Sequence, residues 1–139
     1  MKRGFSLLII IVCAVGAVAA LGAPDARGEA FDTIVVGPGA NGTRRVLHRG
    51  DLLVVRLPSN PSTGYAWKVR SRTRPVLVLS GRTFMPPKPS QRVGAPGTAV
   101  LRFRAAAKGA TALRLAYVRP WETGVAPTKT FILRVSVAR

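Results

Sequence analysis

Apolar and polar residues alternate one by one along several short stretches of the chain. Residues 101–105 read L-R-F-R-A, residues 113–117 read L-R-L-A-Y, and residues 131–137 read F-I-L-R-V-S-V. Successive side chains of a β-strand point to opposite faces, so these stretches place apolar residues on one face and mostly arginines on the other. The pattern is typical of antiparallel sheets with one buried and one solvated face.

Short apolar stretches rich in β-branched and aromatic residues recur along the chain after residue 30, separated by glycine, proline, asparagine or serine. They are T-I-V-V-G, R-R-V-L-H, L-L-V-V-R-L, Y-A-W-K-V-R, V-L-V-L, A-V-L-R-F-R-A, A-L-R-L-A-Y-V and F-I-L-R-V-S-V. No segment there keeps the period of a full amphipathic helix. Seven or eight strands at intervals of about ten residues predict an all-β fold, and we favour an immunoglobulin-like antiparallel β-sandwich over a small barrel.

The N-terminal residues have the pattern of a secretory signal peptide. Two basic residues precede an unbroken apolar run, and the small residues after it offer several cleavage sites. We therefore expect a signal peptide over residues 1–23, with cleavage as late as residue 30, a linker over residues 24–30, and one exported domain over residues 31–139, periplasmic or secreted. Association with a membrane is expected only if the apolar run stays uncleaved, because a span needs roughly 20 apolar residues.

The chain carries 22 lysine and arginine residues against five aspartate and glutamate residues, a formal charge of +17. Without residues 1–30, which hold three of the basic and two of the acidic residues, 19 basic and three acidic residues remain, or +16. Such a charge favours encounter with nucleic acid, anionic envelope polymers or an acidic protein. The cations are scattered singly and are not interleaved with aromatic residues, so we expect a solvated exterior and no specific nucleic-acid site. A cationic module that binds envelope polymers or other polyanions is the alternative function.

The residues that catalysis or metal binding would need are scarce. Cys13, the only cysteine, lies in the apolar run, so residues 31–139 contain no disulfide, cysteine nucleophile or thiolate site. His48, the only histidine, stands in H-R-G-D, which indicates an ordinary turn, and no G-x-S-x-G motif accompanies it. The three acidic residues of the domain are too scattered for a carboxylate pair or a metal site. We expect no enzyme, no metal and no cofactor, and a minor activity that uses His48 is the weakest alternative.

Three turn-rich stretches interrupt the strands, at residues 60–64, 92–98 and 119–124. In the first, Asn60 can hydrogen-bond its own backbone, proline fixes φ, and Gly64 permits a left-handed exit. Ser62 and Thr63 are then left at the tip. Each stretch taken alone could be a simple turn.

The second and third stretches have the chemistry of a binding edge. Gly94 and Gly97 offer bare backbone that a partner could approach closely. Arg119 and Trp121 belong to residue types that are enriched at interface hot spots, and Pro120 stiffens the loop that presents them. A plain connection is the other interpretation, with Trp121 folded over the edge of a sheet.

Together and in this order, N-P-S-T-G-Y (60–65), G-A-P-G (94–97) and R-P-W (119–121) resemble the motifs of the chagasin family of cysteine-peptidase inhibitors. That family has N-P-T-T-G-Y/F, G-x-G-G and R-P-W/F loops on an immunoglobulin-like β-sandwich, and the resemblance covers most of residues 31–139. It implies tight, reversible inhibition of papain-like cysteine peptidases, and we expect a monomer without cofactors. The three loops would occlude the active-site cleft.

The resemblance also implies which residues bind the peptidase. They are Asn60, Pro61, Ser62, Thr63, Gly64, Tyr65, Gly94, Ala95, Pro96, Gly97, Arg119, Pro120 and Trp121. Ser62 and Thr63 would approach the catalytic cysteine and histidine of the peptidase, while the other two loops would line the sides of its cleft. Two positions depart from the family pattern. Ser62 stands where threonine is usual and keeps the hydroxyl, whereas Pro96 stands where glycine is usual, lacks an N–H and fixes φ.

Overall fold

Each stretch in which the residue pattern predicts a strand is a strand in the computed structural model, which describes residues 22, 28, 30–89 and 92–139. The strands are β1 (Thr33–Val36), β2 (Arg44–His48), β3 (Leu52–Ser59), β4 (Ala66–Val69), β5 (Leu77–Met85), β6 (Gly97–Ala105), β7 (Gly109–Val118) and β8 (Lys129–Ala138). Two short 3-10 turns, Pro38–Ala40 and Pro61–Thr63, complete the elements. The expected signal peptide and linker fall almost wholly outside the described residues. Within those residues, no helix is long and apolar enough to cross a membrane.

The strands form two four-stranded sheets, in the orders β1-β3-β6-β5 and β2-β8-β7-β4. Four of the pairings are antiparallel, and β1–β3 and β2–β8 are parallel. β2, which lies between β1 and β3 in the chain, belongs to the other sheet. The predicted all-β sandwich is confirmed, with mixed rather than purely antiparallel sheets.

The inward faces of both sheets form one apolar core. Alternate residues of the long strands are buried as the pattern predicts, and Arg104, Arg114 and Arg134 point outward between them. The largest fully buried side chains come from both sheets: Leu47, Leu53, Leu77, Phe103, Leu113, Leu115, Phe131 and Leu133. Burying one such side chain stabilises the fold by roughly 1.5–3 kcal/mol. Because both sheets contribute to one core, the strand ends that bear the loops are held in fixed positions.

The turn between β2 and β3 is built around a buried carboxylate. Asp51 is only 3% exposed and accepts hydrogen bonds from the backbone N–H groups of His48 (2.7 Å) and Asp32 (3.0 Å). Gly50 has φ of +97°, and the ring of Phe31 occupies the space that a Cβ there would need. The H-R-G-D stretch is thus the ordinary turn that was predicted, and the carboxylate of its aspartate serves the fold.

The pKa of Asp51 is lowered in this turn. Burial opposes ionisation, but the hydrogen bonds from the backbone of His48 and Asp32 outweigh it and hold the pKa below its ordinary value. The nearby His48 side chain, with Nδ1 3.7 Å from the carboxylate, adds a smaller effect in the same direction. A lowered pKa in the folded state means that the ionised carboxylate stabilises the fold.

We therefore expect the free energy of unfolding to fall in acid. The contribution of Asp51 is complete above the unfolded-state pKa of about 4 and is lost as pH falls through the lower folded-state pKa. Asp51→Asn should cost about 1–3 kcal/mol near neutral pH and flatten the acid dependence, measured by urea unfolding. As a control, Asp32→Asn alters an exposed aspartate, keeps its backbone N–H and should retain the dependence. Equal acid dependence in Asp51→Asn and the unmutated protein would contradict this role.

Candidate functional site

The strand pairings bring the three turn-rich stretches to one end of the sandwich. Ser59, the last residue of β3, lies opposite Gly97, the first of β6, so loop 1 (residues 60–64) adjoins loop 2 (residues 92–96). Ala66 in β4 lies opposite Val118, so the other end of loop 1 adjoins loop 3 (residues 119–124). We call the surface formed by the three loops the loop edge.

Loop 1 is a 3-10 turn closed by its own hydrogen bonds. The Ser62 hydroxyl donates to Oδ1 of Asn60 (2.6 Å), and the Thr63 hydroxyl donates to the backbone oxygen of Asn60 (2.6 Å). Gly64 ends the turn with φ of +80°, in the left-handed region that glycine favours. Ser62 and Thr63 are exposed at the tip, as predicted, with their hydroxyls already held in place.

Asn60 joins loop 1 to the core and to loop 2. Its backbone N–H donates to the hydroxyl of Tyr117 (2.8 Å), and its side-chain Nδ2 donates to the backbone oxygen of Gly94 (3.1 Å). Tyr117 is buried, stacked on Tyr65 with ring centroids 5.2 Å apart and packed against Trp67 at 5.0 Å. Sequence reasoning assigned Tyr117 to the core by alternation but missed that its hydroxyl positions loop 1.

Arg119 joins loop 3 to loop 1. Its Nε donates to the backbone oxygen of Thr63 (3.0 Å), and its guanidinium carbon lies 4.5 Å from the centroid of the Tyr65 ring. Its Nη1 also donates to Oε1 of Glu122 (3.2 Å) within loop 3. A guanidinium over an aromatic face adds a cation–π attraction to these hydrogen bonds. The Arg119 side chain therefore holds loops 1 and 3 together, an intramolecular role that the sequence pattern did not predict.

Trp121, the aromatic residue of loop 3, is 68% exposed. Its ring lies against Gly64, where any Cβ would overlap it. The tryptophan thus rests on loop 1 and presents most of its ring to solvent, rather than covering a sheet edge. Glycine is needed at position 64 for two reasons, its positive φ and the close approach of the Trp121 ring.

Loop 2 turns at Gly94, which has φ of +83°, with the N–H of Ala95 donating to the backbone oxygen of Arg92 (2.9 Å). Gly94 and Pro96 are exposed. The expectation that Gly97 also offers bare backbone to a partner is wrong. Gly97 is buried in β6, and a Cβ there would overlap the ring of Phe84 and a backbone oxygen of β5.

The loop edge can bind but has no groups for a chemical reaction. Loops 1 to 3 contain one ion pair, Arg119 with Glu122, and one further charged residue, the exposed Arg92. They otherwise present hydroxyls, apolar side chains and bare backbone. Among the described residues no cluster of three or more His, Cys, Asp or Glu residues could hold a metal. The arrangement is a set of loops tied together by hydrogen bonds, with exposed groups that a partner could contact.

The same loops lie within the part of the chain that matches a known family model. The model described as "Chagasin family peptidase inhibitor I42" matches residues 46–135, which include all three loops. The chain belongs to the chagasin family of peptidase inhibitors. Its relatives are inhibitors and not enzymes, in agreement with the predicted lack of catalytic activity.

Two relatives illustrate the similarity in sequence. Amoebiasin-2 of Entamoeba histolytica is 33% identical over 87 residues, which are 63% of this chain and 71% of that protein. Chagasin of Trypanosoma cruzi is 34% identical over 86 residues, which are 58% of this chain and 76% of chagasin. The predicted resemblance to the family is confirmed.

Two solved structures show the similarity in fold. The cysteine protease inhibitor EhICP2 from Entamoeba histolytica superposes with a TM-score of 0.71 at 29% identity, over 80% of this chain and all of that one. The solution structure of amebosin superposes with a TM-score of 0.62 at 24% identity, over 78% and 99% of the two chains, and supports the fold alone.

The link between loops 1 and 2 can be tested through Asn60. Asn60→Asp keeps an acceptor for Ser62 but places a carboxylate oxygen against the backbone oxygen of Gly94, so the two loops should separate. We expect the inhibition constant against papain to rise about tenfold, the equivalent of about 1.4 kcal/mol.

Asn41→Asp is the matched control for this substitution. Oδ1 of Asn41 only accepts a hydrogen bond, from the N–H of Ile132 (2.9 Å), so aspartate can replace it while adding the same charge. An inhibition constant that rises equally in both variants would show that charge alone matters and would refute the loop link.

Proposed function

We propose that the loop edge enters the active-site cleft of a papain-like cysteine peptidase and blocks it reversibly, without a covalent step. One observation supports this most strongly: the side chains of Asn60 and Arg119 tie the three loops into one surface. Because the loops are already ordered, they lose little conformational freedom when a partner binds, which lowers the entropy cost of binding. The name of EhICP2 as a cysteine protease inhibitor supports the same class of target.

Loop 1 is the part that would face the catalytic cysteine and histidine. Ser62 and Thr63 are exposed there, and the Ser62 and Thr63 hydroxyls are both bonded within the loop. Cleavage would require the 3-10 turn to become extended and to break these hydrogen bonds. The loop would therefore fill the cleft while remaining a poor substrate. Ser62 supplies a hydroxyl of the same kind as the usual threonine.

Loops 2 and 3 would contact the two sides of the cleft. Trp121 presents a large ring that is already positioned by Gly64, and tryptophan is a frequent hot-spot residue. On the other side, Gly94 and Pro96 are exposed and Val93 projects fully into solvent. Apolar groups of this kind gain most when a partner removes them from water.

We also propose that the domain is exported and acts as a monomer. The charged and apolar pattern of the N-terminal residues supports export to the periplasm or the medium. In β5, an edge strand, the register shifts between Leu79 and Gly81, and such bulges discourage pairing with the edge of a second molecule.

Titration of papain and a cathepsin with purified residues 31–139 tests the proposed function. We expect stoichiometric inhibition, recovery of peptidase activity on dilution, and an intact inhibitor chain by mass spectrometry. A serine peptidase should be unaffected. The proposal would be refuted if several papain-like enzymes kept full activity at inhibitor concentrations of about 1 μM or more, because a tight inhibitor binds well below that concentration.

The contact between loops 1 and 3 gives a sharper test. In Gly64→Ala the new Cβ overlaps Trp121, so the ring must move away, and we expect inhibition to weaken by at least about tenfold. Gly42→Ala is the control, because Gly42 has nearly the same φ (+79°) with open space around it. Both variants should lose about 1 kcal/mol of stability through the backbone. Equal inhibition by the two would exclude a role for the seated tryptophan.

A further inference from the structure

The outer face of the second sheet has a line of cations that the loop edge does not use. On β2, β8, β7 and β4 the residues alternate between the core and this outer face. Five basic side chains occupy the outer positions, and we call them the cationic stripe: Arg44, Arg134, Arg114, Arg70 and Lys68. The four arginines are exposed and the lysine is half-buried.

Strand register places the four arginines of the stripe beside one another, with Arg70 directly after the end of β4. Arg44 lies directly opposite Arg134 in the parallel β2–β8 pair. Arg114 lies opposite Ile132, two residues from Arg134, and is therefore its diagonal neighbour. The N–H of Arg70 donates to the backbone oxygen of Arg114 (2.8 Å), which places these two side by side. Neighbouring strands are about 4.8 Å apart and diagonal positions about 7–8 Å apart, so the charges form one closely spaced diagonal line.

Within the described part of the chain, no acidic side chain forms an ion pair with a residue of the stripe. β2, β4, β7 and β8 contain no aspartate or glutamate. Within the described ranges the acidic residues lie elsewhere: Asp32 before β1, Asp51 buried in the β2–β3 turn, and Glu122 paired with Arg119. Like charges directly opposite each other destabilise a sheet. The free protein therefore carries a repulsion that a bound anion would relieve.

In the first sheet, no arginine of β3 lies directly opposite an arginine of β6. There each outward arginine of β3 or β6 lies opposite an aliphatic residue: Arg56 opposite Val100, Arg102 opposite Val54 and Arg104 opposite Leu52. Val54 and Val100 are almost fully buried, at 5% and 2% exposed. Arg56 is a diagonal neighbour of Arg102, but the first sheet has no directly opposed pair of arginines like Arg44 and Arg134 in the second sheet.

The shape and composition of the stripe indicate what it binds. Its charges form a line and not a disc, which suits a chain-like polyanion better than a flat membrane. Between the cations lie small or aliphatic residues, among them Ala112, Ala116 and Ser136, and no aromatic ring on which a base could stack. We propose that the cationic stripe binds a linear anionic polysaccharide through its carboxylate or sulfate groups, and so holds the inhibitor on a polymer while the loop edge stays free.

Fluorescence anisotropy with two labelled probes, a heparin oligosaccharide and an oligogalacturonate, tests the proposal and separates sulfate from carboxylate recognition. We expect at least one probe to bind, with an affinity that falls steeply as salt is added, because counterions are released. The double variant Arg114→Gln/Arg134→Gln should weaken binding by more than about tenfold. The control Arg56→Gln/Arg104→Gln removes the same charge from the first sheet and should weaken binding by less than about threefold.

Other outcomes would overturn the proposal. They are no binding of either probe, equal losses in the two double variants, or tighter stripe-dependent binding of single-stranded oligothymidylate or phosphatidylglycerol vesicles. Papain inhibition by both double variants should match that of the unmutated protein, because the four substituted arginines lie within strands and outside the three loops.

Ala112→Glu provides a second measurement that does not depend on removing arginines. Ala112 lies opposite Arg134, so the new carboxylate should relieve the like-charge repulsion and raise the thermal midpoint. The same carboxylate should repel the anionic probe and weaken its binding. A higher thermal midpoint together with weaker probe binding would support the proposed anion site, and unchanged probe binding would refute it.

Discussion

The hydrogen bond from the Asn60 N–H to the Tyr117 hydroxyl fixes the loop edge to the core. Tyr117 is 7% exposed and is held by Tyr65 and Trp67, so its hydroxyl has one position in the folded protein. Asn60 extends this order to its own loop and to loop 2. Arg119 does the same from the opposite side, where it spans the Tyr65 ring and loop 1. The loops therefore share the rigidity of the sandwich.

This arrangement separates the groups that shape the loop edge from those that would meet a partner. Asn60 and Arg119 direct their polar atoms inward to other loops, although both appear in the family motifs as contact residues by resemblance. The other exposed groups include small hydroxyls, bare backbone, the side chains of Arg92 and Val93, and the Trp121 ring. Affinity from such a surface comes from fit and from water released at apolar groups, since no charged pair is directed outward from the loops.

Residue patterns predicted the strands well because each strand buries one face, and they marked the loops because turns need particular residues. They could not predict which strands pair, so the parallel β1–β3 and β2–β8 pairs became apparent only in the fold. Arg44 and Arg134, which are far apart in the sequence, are neighbours for the same reason. The role of a glycine could not be predicted from the sequence either, because glycine can allow a positive φ, as at Gly94, or close packing, as at Gly97.

The attachment of loop 1 to Tyr117 has a consequence for survival among peptidases. Proteolysis proceeds mainly through locally opened states, whose population depends on the free energy of opening. An autonomous loop opens easily, whereas loop 1 can open only by giving up contacts to a buried aromatic cluster. Exposing the loop backbone therefore costs the free energy of these contacts in addition to that of the hydrogen bonds within the loop. Loop 1, the segment that would enter the active site of a peptidase first, is therefore protected against cleavage.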